Sequence, residues 1–351
     1  MIQNNHSAAR QRYVIAMSGG VDSSAAALLL RDAGDCMGVT LTMFPDAEEQ
    51  NAADARRVCD TLGLPHATWD ASAAFRQYVT DYFADAYAHG LTPNPCVVCN
   101  RYVKFGFLLD RAIDAGYDTV ATGHYARIWK GGGRRLVQKA ADAKKDQSYV
   151  LAMLTTEQLS HVAFPLGALS KPEIRAMAEE AGLVTAHKSD SQDICFIPDG
   201  DYNAFLTRYT GKAAIPGDFL APDGRKVGTH RGQRCYTIGQ CRGLGIALGC
   251  RMYVTAKDAE ANTVTIDADE NTLYRTRVVC RRFNNQTGAR LPDGMVCAAK
   301  LRYAHRESPC RVWESDGGLV LEFATPQRAP TPGQFAVLYD GDMVLGGAEI
   351  L

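Results

Sequence analysis

Val14-Ile15-Ala16-Met17-Ser18-Gly19-Gly20-Val21-Asp22-Ser23-Ser24 is an apolar run that halts at a Ser-Gly-Gly turn and continues through Asp22 and two serines into an alanine- and leucine-rich segment. The pattern reads as a strand, a tight loop and a helix start. Glycines let the backbone turn sharply and bring its N–H groups close to an anion, while hydroxyls stand where a helix start leaves donors unpaired. An acidic group beside such a loop suits a magnesium ion better than bare phosphate. The spacing matches neither Gly-x-x-x-x-Gly-Lys-Ser/Thr nor Gly-x-Gly-x-x-Gly, so the Walker loop and the dinucleotide fingerprint are excluded. A strand-to-helix turn with a serine cap is the plain structural alternative.

From Tyr13 to about Ile197, short apolar runs alternate with amphipathic helices, as in a parallel sheet with crossover helices. Strands are expected at Val14–Met17, Cys36–Phe44, Ala67–Asp70 and Thr119–Ala121. Helices are expected at Ala25–Ala33, Ala52–Leu62, Ala73–His89 and Lys104–Ala115. Ligands of such sheets sit beyond the carboxyl ends of the strands, where Ser18, Met43 and Gly123 all fall. After Pro198 glycine and proline recur and short alternating strands take over, including a hairpin at Met252–Ala256 and Thr263–Asp267. Five further strands from Val278 to Tyr339 suggest a small sandwich or barrel. The expected fold class is α/β: a nucleotide-binding parallel-sheet domain at 1–203, a small β-rich domain at 204–271 and a β-barrel at 272–351.

The 351 residues suffice for two or three domains, and 46% hydrophobic with 22% charged residues is ordinary globular composition. With 38 Lys and Arg against 39 Asp and Glu, no global basic field marks a nucleic-acid partner, so RNA binding would rest on local patches. No apolar stretch reaches the roughly 20 residues of a membrane span, and the N-terminus has no signal-peptide core, so a cytoplasmic protein is expected, with no membrane partner. Eleven cysteines, odd in number and scattered, do not form a disulfide framework, and most read as small core hydrophobes. Cys96, Cys99 and Cys195 stand in a chemical setting: Cys96-Val97-Val98-Cys99 follows a proline-rich turn, and Cys195 ends the polar run Ser189 to Asp193. Such positions can hold a thiolate, although a lone C-x-x-C leaves metal binding, redox chemistry and coincidence open.

Ser18 to Ser23 resembles the pyrophosphate loop of the ATP pyrophosphatase superfamily, whose members cleave ATP between the α and β phosphates and pass AMP to a substrate oxygen. Thr92-Pro93-Asn94-Pro95, Cys99-Asn100, Lys104-Phe105, Ala121-Thr122-Gly123-His124-Tyr125, Lys145-Asp146-Gln147-Ser148-Tyr149 and Asp190 to Phe196 follow in register. Together with Gly243-Leu244-Gly245, Leu301-Arg302-Tyr303 and Thr331-Pro332-Gly333-Gln334, they make the chain similar, nearly end to end, to tRNA-specific 2-thiouridylases.

The resemblance implies a fold similar to adenine nucleotide α hydrolases and an ATP-dependent replacement of the C2 oxygen of a wobble uridine by sulfur. It implies ATP contacts at Ala16, Met17, Ser18, Gly19, Gly20, Val21, Asp22, Ser23, Met43 and Gly123, with Asp22 near Mg2+. Cys195 would carry sulfur as a persulfide, and Cys99 would release it by forming a disulfide with Cys195. Asn94, Pro95 and Cys96 would flank a flipped-out base. His124, Lys145, Asp146, Gln147, Arg302, Tyr303 and Gln334 would touch tRNA. The implied partners are tRNAs for Glu, Gln and Lys, and a persulfide donor protein or cysteine desulfurase relay.

Cys96 stands where the family motif familiar to us has aspartate. Three cysteines leave a second route open, a [4Fe-4S] cluster on Cys96, Cys99 and Cys195, with structural zinc as a third reading. Another superfamily synthetase and a non-catalytic, nucleotide-sensing tRNA-binding protein are the competing functions. Arg225, Lys226, His230, Arg231, Arg234, Arg242, Arg281, Arg282, Arg302 and Arg306 are expected to face tRNA phosphates.

Overall fold

The computed structural model describes residues 10–44, 49–189, 194–315 and 317–351. Two compact units emerge. One holds the described residues of Met1–Arg76 and Asn100–Ser191, and the other those of Gln77–Cys99 and Gln192–Leu351.

In the first unit β1 (Arg12–Ala16), β2 (Asp35–Thr42), β3 (His66–Asp70), β4 (Thr119–Ala121) and β7 (Val162–Ala163) form a parallel sheet in the order β3-β2-β1-β4-β7. Val14, Ile15, Val120 and Ala121 are fully buried, as parallel strands covered on both faces require. Helix α1 (Val21–Leu30) follows β1, and its Ala25, Ala26 and Ala27 expose no surface, so the small side chains let the helix sit in the core. Helix α2 (Glu49–Leu62) buries Ala55, Val58 and Cys59 on one face. The chain runs outward from β1 through β2 to β3 and then returns to place β4 on the other side of β1. That reversal between β1 and β4 is where an open α/β sheet forms its ligand crevice, and it brings the ends of β1 and β4, hence Ser18 and Gly123, side by side. A hairpin of β5 (Ala126–Gly131) and β6 (Arg134–Lys139) completes the strands of this unit.

In the second unit β8 (Gly217–Leu220), β9 (Lys226–His230), β10 (Tyr253–Asp258) and β11 (Thr263–Asp267) form a sheet ordered β10-β11-β8-β9 around Phe219, Tyr236, Val254, Val264 and Ile266. Strands β12 (Tyr274–Asn285), β13 (Met295–Lys300), β14 (Ser308–Ser315), β15 (Gly318–Arg328), β16 (Phe335–Asp340) and β17 (Met343–Ile350) close into an antiparallel six-stranded barrel. Closure falls at β12–β17, where a Cβ on Gly346 would lie 2.1 Å from the carbonyl oxygen of Asn284, so glycine is demanded there.

Two helices expected from sequence are altered. The run Ala73–His89 is α-helical only over Ser72–Phe75 and Asp81–Ala88, with a π-helical turn at Arg76–Thr80 between them. The run Lys104–Ala115 begins earlier, at Pro95, and passes through π-helical Asn100–Phe107 before Leu108–Asp114. No helix among the described residues is long and apolar enough to cross a membrane.

Candidate functional site

In the first unit the Ser18–Ser24 turn is held by its own hydroxyls. The Ser18 N–H donates to Ser23 Oγ at 3.2 Å, and Ser23 Oγ and Ser24 Oγ donate to the Gly20 carbonyl at 3.0 and 2.8 Å. Gly19 adopts φ +68°, and a Cβ there would lie 2.4 Å from the Asn51 carbonyl oxygen. Gly20 caps α1 without a side-chain hydrogen bond, which leaves the first-turn N–H groups and the positive end of the helix dipole to an anion. Gly123 presses on the same turn: a Cβ would meet the Asp22 carbonyl carbon at 2.7 Å and the Ser23 nitrogen at 2.8 Å. Ser18 is exposed, and Met43 is half-buried just past the end of β2.

Two lysines, remote in sequence, complete this turn. Lys171, the first residue of helix Lys171–Glu180, donates to both carboxylate oxygens of Asp22 at 2.7 and 2.9 Å, and the Tyr125 hydroxyl donates to Asp22 Oδ1 at 2.7 Å. Lys188 donates at 2.9 Å to the Gly19 carbonyl, to Asn51 Oδ1 and to Asp54 Oδ2. Hydrogen bonds from Arg57 and then Lys188 hold the Asp54 carboxyl down at about 2. Arg175 fixes the approach of Lys188 by donating to the carbonyls of Ala186 and Lys188 at 2.9 and 3.1 Å. Sequence reading missed both lysines because no local motif announces a side chain some 150 residues from its partner.

Several residues expected at tRNA serve the fold of this unit. Gln147 Oε1 accepts from the Tyr125 N–H at 2.9 Å, tying its loop to the tyrosine that reaches Asp22. Asp146 accepts from the Ala140 N–H at 3.0 Å and the Ser148 hydroxyl at 2.7 Å. His124 is buried between Phe105 and Phe164 and shares a 2.7 Å hydrogen bond with Thr122. Burial, with the nearby Lys104 charge, holds its pKa well below the usual value, so it is neutral. Lys145 is half-buried.

In the second unit Asn94 and Pro95 open the helical run: Asn94 Oδ1 accepts from the Val97 N–H at 3.4 Å, and proline takes the first helical position, where its missing N–H costs nothing. Cys96 is exposed, whereas Cys99, the last residue before the π-helical stretch, is 7% exposed. The turn before them is clamped from a distance. The Thr92 N–H donates to the Pro332 carbonyl at 2.9 Å and Gln334 Nε2 donates to the Thr92 carbonyl at 2.8 Å. Gly333 allows this approach, since a Cβ would lie 2.9 Å from Leu91 Cβ.

Cys195 is exposed, and Phe196 beside it anchors the segment on Phe83 and Phe205, with ring centroids 5.3 and 5.0 Å apart. Asp190, Ser191, Gln192 and Asp193 of the quoted motif lie outside the described residues. Among the described residues no group of three or more His, Cys, Asp or Glu side chains could hold a metal ion. Cys96, Cys99 and Cys195 are not gathered into such a group among the described residues.

Arg302 donates to the carbonyls of Ile238 and Ala329 at 3.1 Å each and to the Thr331 hydroxyl, while its neighbour Tyr303 is 47% exposed. Of the basic residues expected at phosphates, His230 is only 2% exposed and shares a hydrogen bond with the Asn262 carbonyl, which removes it from any surface. Arg281 and Arg282 both pair with Glu349, and Arg225 and Lys226 pair with Asp223 and Asp218.

Three family models match the chain: tRNA methyl transferase HUP domain over residues 11–199, tRNA methyl transferase PRC-barrel domain over 203–268, and aminomethyltransferase beta-barrel domain over 281–350. Among curated proteins, tRNA-specific 2-thiouridylase MnmA of Lachnoclostridium phytofermentans is 43% identical over 97% of this chain and 99% of its own length. The protein of the same name from Chloroflexus aurantiacus is 46% identical over 96% and 97%. A solved structure, U34-tRNA thiolase NcsA from Methanococcus maripaludis with its [4Fe-4S] cluster, is similar over 57% of this chain and 67% of its own at 18% identity and a TM-score of 0.36, a likeness on which nothing further rests.

Proposed function

The chain belongs to the family of tRNA-specific 2-thiouridylases, and from that premise we propose that it is an ATP-dependent tRNA sulfurtransferase that converts a wobble uridine to 2-thiouridine. The observation that carries the ATP dependence is the uncapped start of α1 behind Ser18–Ser23, with one carboxylate, Asp22, held at its mouth by Lys171 and Tyr125. Magnesium takes one or two carboxylates together with substrate phosphates, and Asp22, whose side chain is 33% exposed, is the group that fits it. When bound, the ion would neutralise phosphate charge. The protein's own part is to present N–H groups to the pyrophosphate and to keep Asp22 oriented.

In the proposed reaction the uridine C2 oxygen attacks the α phosphorus and pyrophosphate leaves, turning a poor leaving group into AMP. A persulfide on Cys195 then forms a bond from its terminal sulfur to C2, and AMP departs with the oxygen. The thiolate of Cys99 attacks Cys195 Sγ and breaks its bond to the transferred sulfur. The product is 2-thiouridine with a Cys99–Cys195 disulfide, which an external thiol reductant reopens with two electrons. The exposure of Cys195 supports a role in taking sulfur from a donor protein, and the burial of Cys99 supports a later, internal step.

Asn94, Pro95 and the exposed Cys96 are proposed to flank the base, and Tyr303 and Lys145 to contact tRNA. Asp146, Gln147, Arg302, His124 and Gln334 would act on tRNA through the loops they hold. tRNAs for Glu, Gln and Lys are the proposed substrates, and the proposed setting is the cytoplasm. Pyrophosphate release measured with and without tRNA tests the reading. It is expected to require tRNA and to fall at least 100-fold in Asp22→Ala, an order of magnitude typical of lost charge stabilisation; unchanged release in the variant would refute it.

A further inference from the structure

The second unit contains a cavity of about 350 Å³ that the reaction above does not use. Its lining residues include three basic ones, His89, Lys257 and Arg275, and no acidic one, although His89 Nδ1 lies 3.3 Å from Asp85 Oδ1 outside the lining. Lys257 is the unusual member. Its ammonium donates to the Tyr236 carbonyl at 2.9 Å, and among the described residues no carboxylate pairs with it. Burial pulls its pKa down to about 8. A cation withdrawn from water without a counter-charge is costly to keep, and an anionic ligand would repay that cost.

The remaining wall is built to hold a shape. Arg275 is fixed by donating to the carbonyls of Thr272 and Tyr274 at 2.7 and 2.9 Å, which leaves part of its guanidinium fork uncommitted. Ala329, 2% exposed, adopts φ +50°, a left-handed conformation uncommon outside glycine. It is retained there by Arg302, which also grips Ile238 and Thr331 of the same wall. Ile238, Leu273 and Pro330 supply an apolar face. The volume exceeds what a lone inorganic anion fills.

We propose that this cavity binds a phosphate-bearing nucleotide, with Lys257 and Arg275 taking the phosphate and the face of Ile238, Leu273 and Pro330 taking the base or ribose. The nucleotide is either a residue of the bound tRNA or a free one. The first source rests on the sulfurtransferase reading, and the second does not.

Full-length wild type, Lys257→Gln and Lys257→Met separate the sources, using AMP titration by calorimetry and tRNA filter binding across a salt series. If tRNA occupies the cavity, both variants bind tRNA about tenfold more weakly, the size of one charge-assisted hydrogen bond. The log–log salt slope should then fall by about one. If a free nucleotide occupies it, tRNA affinity is unchanged and both variants bind one AMP fewer per chain than wild type. Wild-type tRNA affinity, salt slope and AMP stoichiometry in both variants would overturn the proposal. Melting temperature guards against misfolding: it should hold or rise when an uncompensated ammonium is removed. A marked fall in both variants would also overturn the proposal, by showing that Lys257 has its counter-charge within the protein. Pyrophosphate release by the same wild-type preparation reports separately on the sulfurtransferase reading.

Discussion

The turn at Ser18–Ser24 and the turn at Thr92–Cys99 each lead into the start of a helix, but only the first is shaped by several bonds among its own residues. The first shapes itself with its own serines, which bond to Gly20 and to each other, before Lys171, Tyr125 and Lys188 grip it from a distance. The second is gripped through the backbone of Thr92 by Pro332 and Gln334, some 240 residues away, and its local cap is a long 3.4 Å hydrogen bond. A turn that bonds within itself writes that part of its geometry into adjacent residues. A clamped turn divides that information between two distant motifs, and each alone looks like an ordinary loop.

The difference can be broken at the first turn with one methyl group. Gly19→Ala should destabilise the protein by about 1–3 kcal/mol from strained backbone alone, with more from the clash on Asn51. Urea denaturation and ATP affinity should both register it, and a silent substitution would mean the turn is not held as described. A milder test uses acid. Asp54, which anchors Lys188 under Gly19, has a pKa of about 2 when folded, below its ordinary unfolded value of about 3.9. Its contribution is therefore complete above about pH 4 and is lost as the pH falls through 2. Asp54→Asn should be less stable than wild type at pH 6, and the two stabilities should converge toward pH 2; a gap independent of pH would show that the ion pair contributes nothing.

The same contrast explains what was legible. β1, the glycine turn and α1 could be read because the residue types that permit the conformation sit together. The strands from Val278 to Tyr339 were visible through their alternation. β17 was not, because Gly346 and Gly347, needed where the barrel closes on β12, dilute the strand pattern of Met343–Ile350. The hairpin β5–β6 had an available signal, Gly131-Gly132-Gly133 between apolar alternations, with Gly132 and Gly133 both at positive φ. The π-helical stretches at Arg76–Thr80 and Asn100–Phe107 carry no sequence rule that marks them. At the site, local setting singled out Cys96, Cys99 and Cys195 and the family resemblance implied the pair Cys99 and Cys195, but neither could assign one to the interior and the other to the surface. Lys171, Lys188 and Lys257 belong to no sequence motif, and only the fold shows what they touch.

Activation at the first turn and sulfur transfer at the cysteines are separate chemical halves in this account. The most direct test gives wild type, Cys99→Ser and Cys195→Ser a persulfide donor, ATP and tRNA, and follows pyrophosphate and 2-thiouridine by mass spectrometry in the same samples. Both variants should release a tRNA-dependent burst of pyrophosphate while forming no 2-thiouridine. Continued thiolation in either variant, or loss of the burst together with thiolation, would contradict the account.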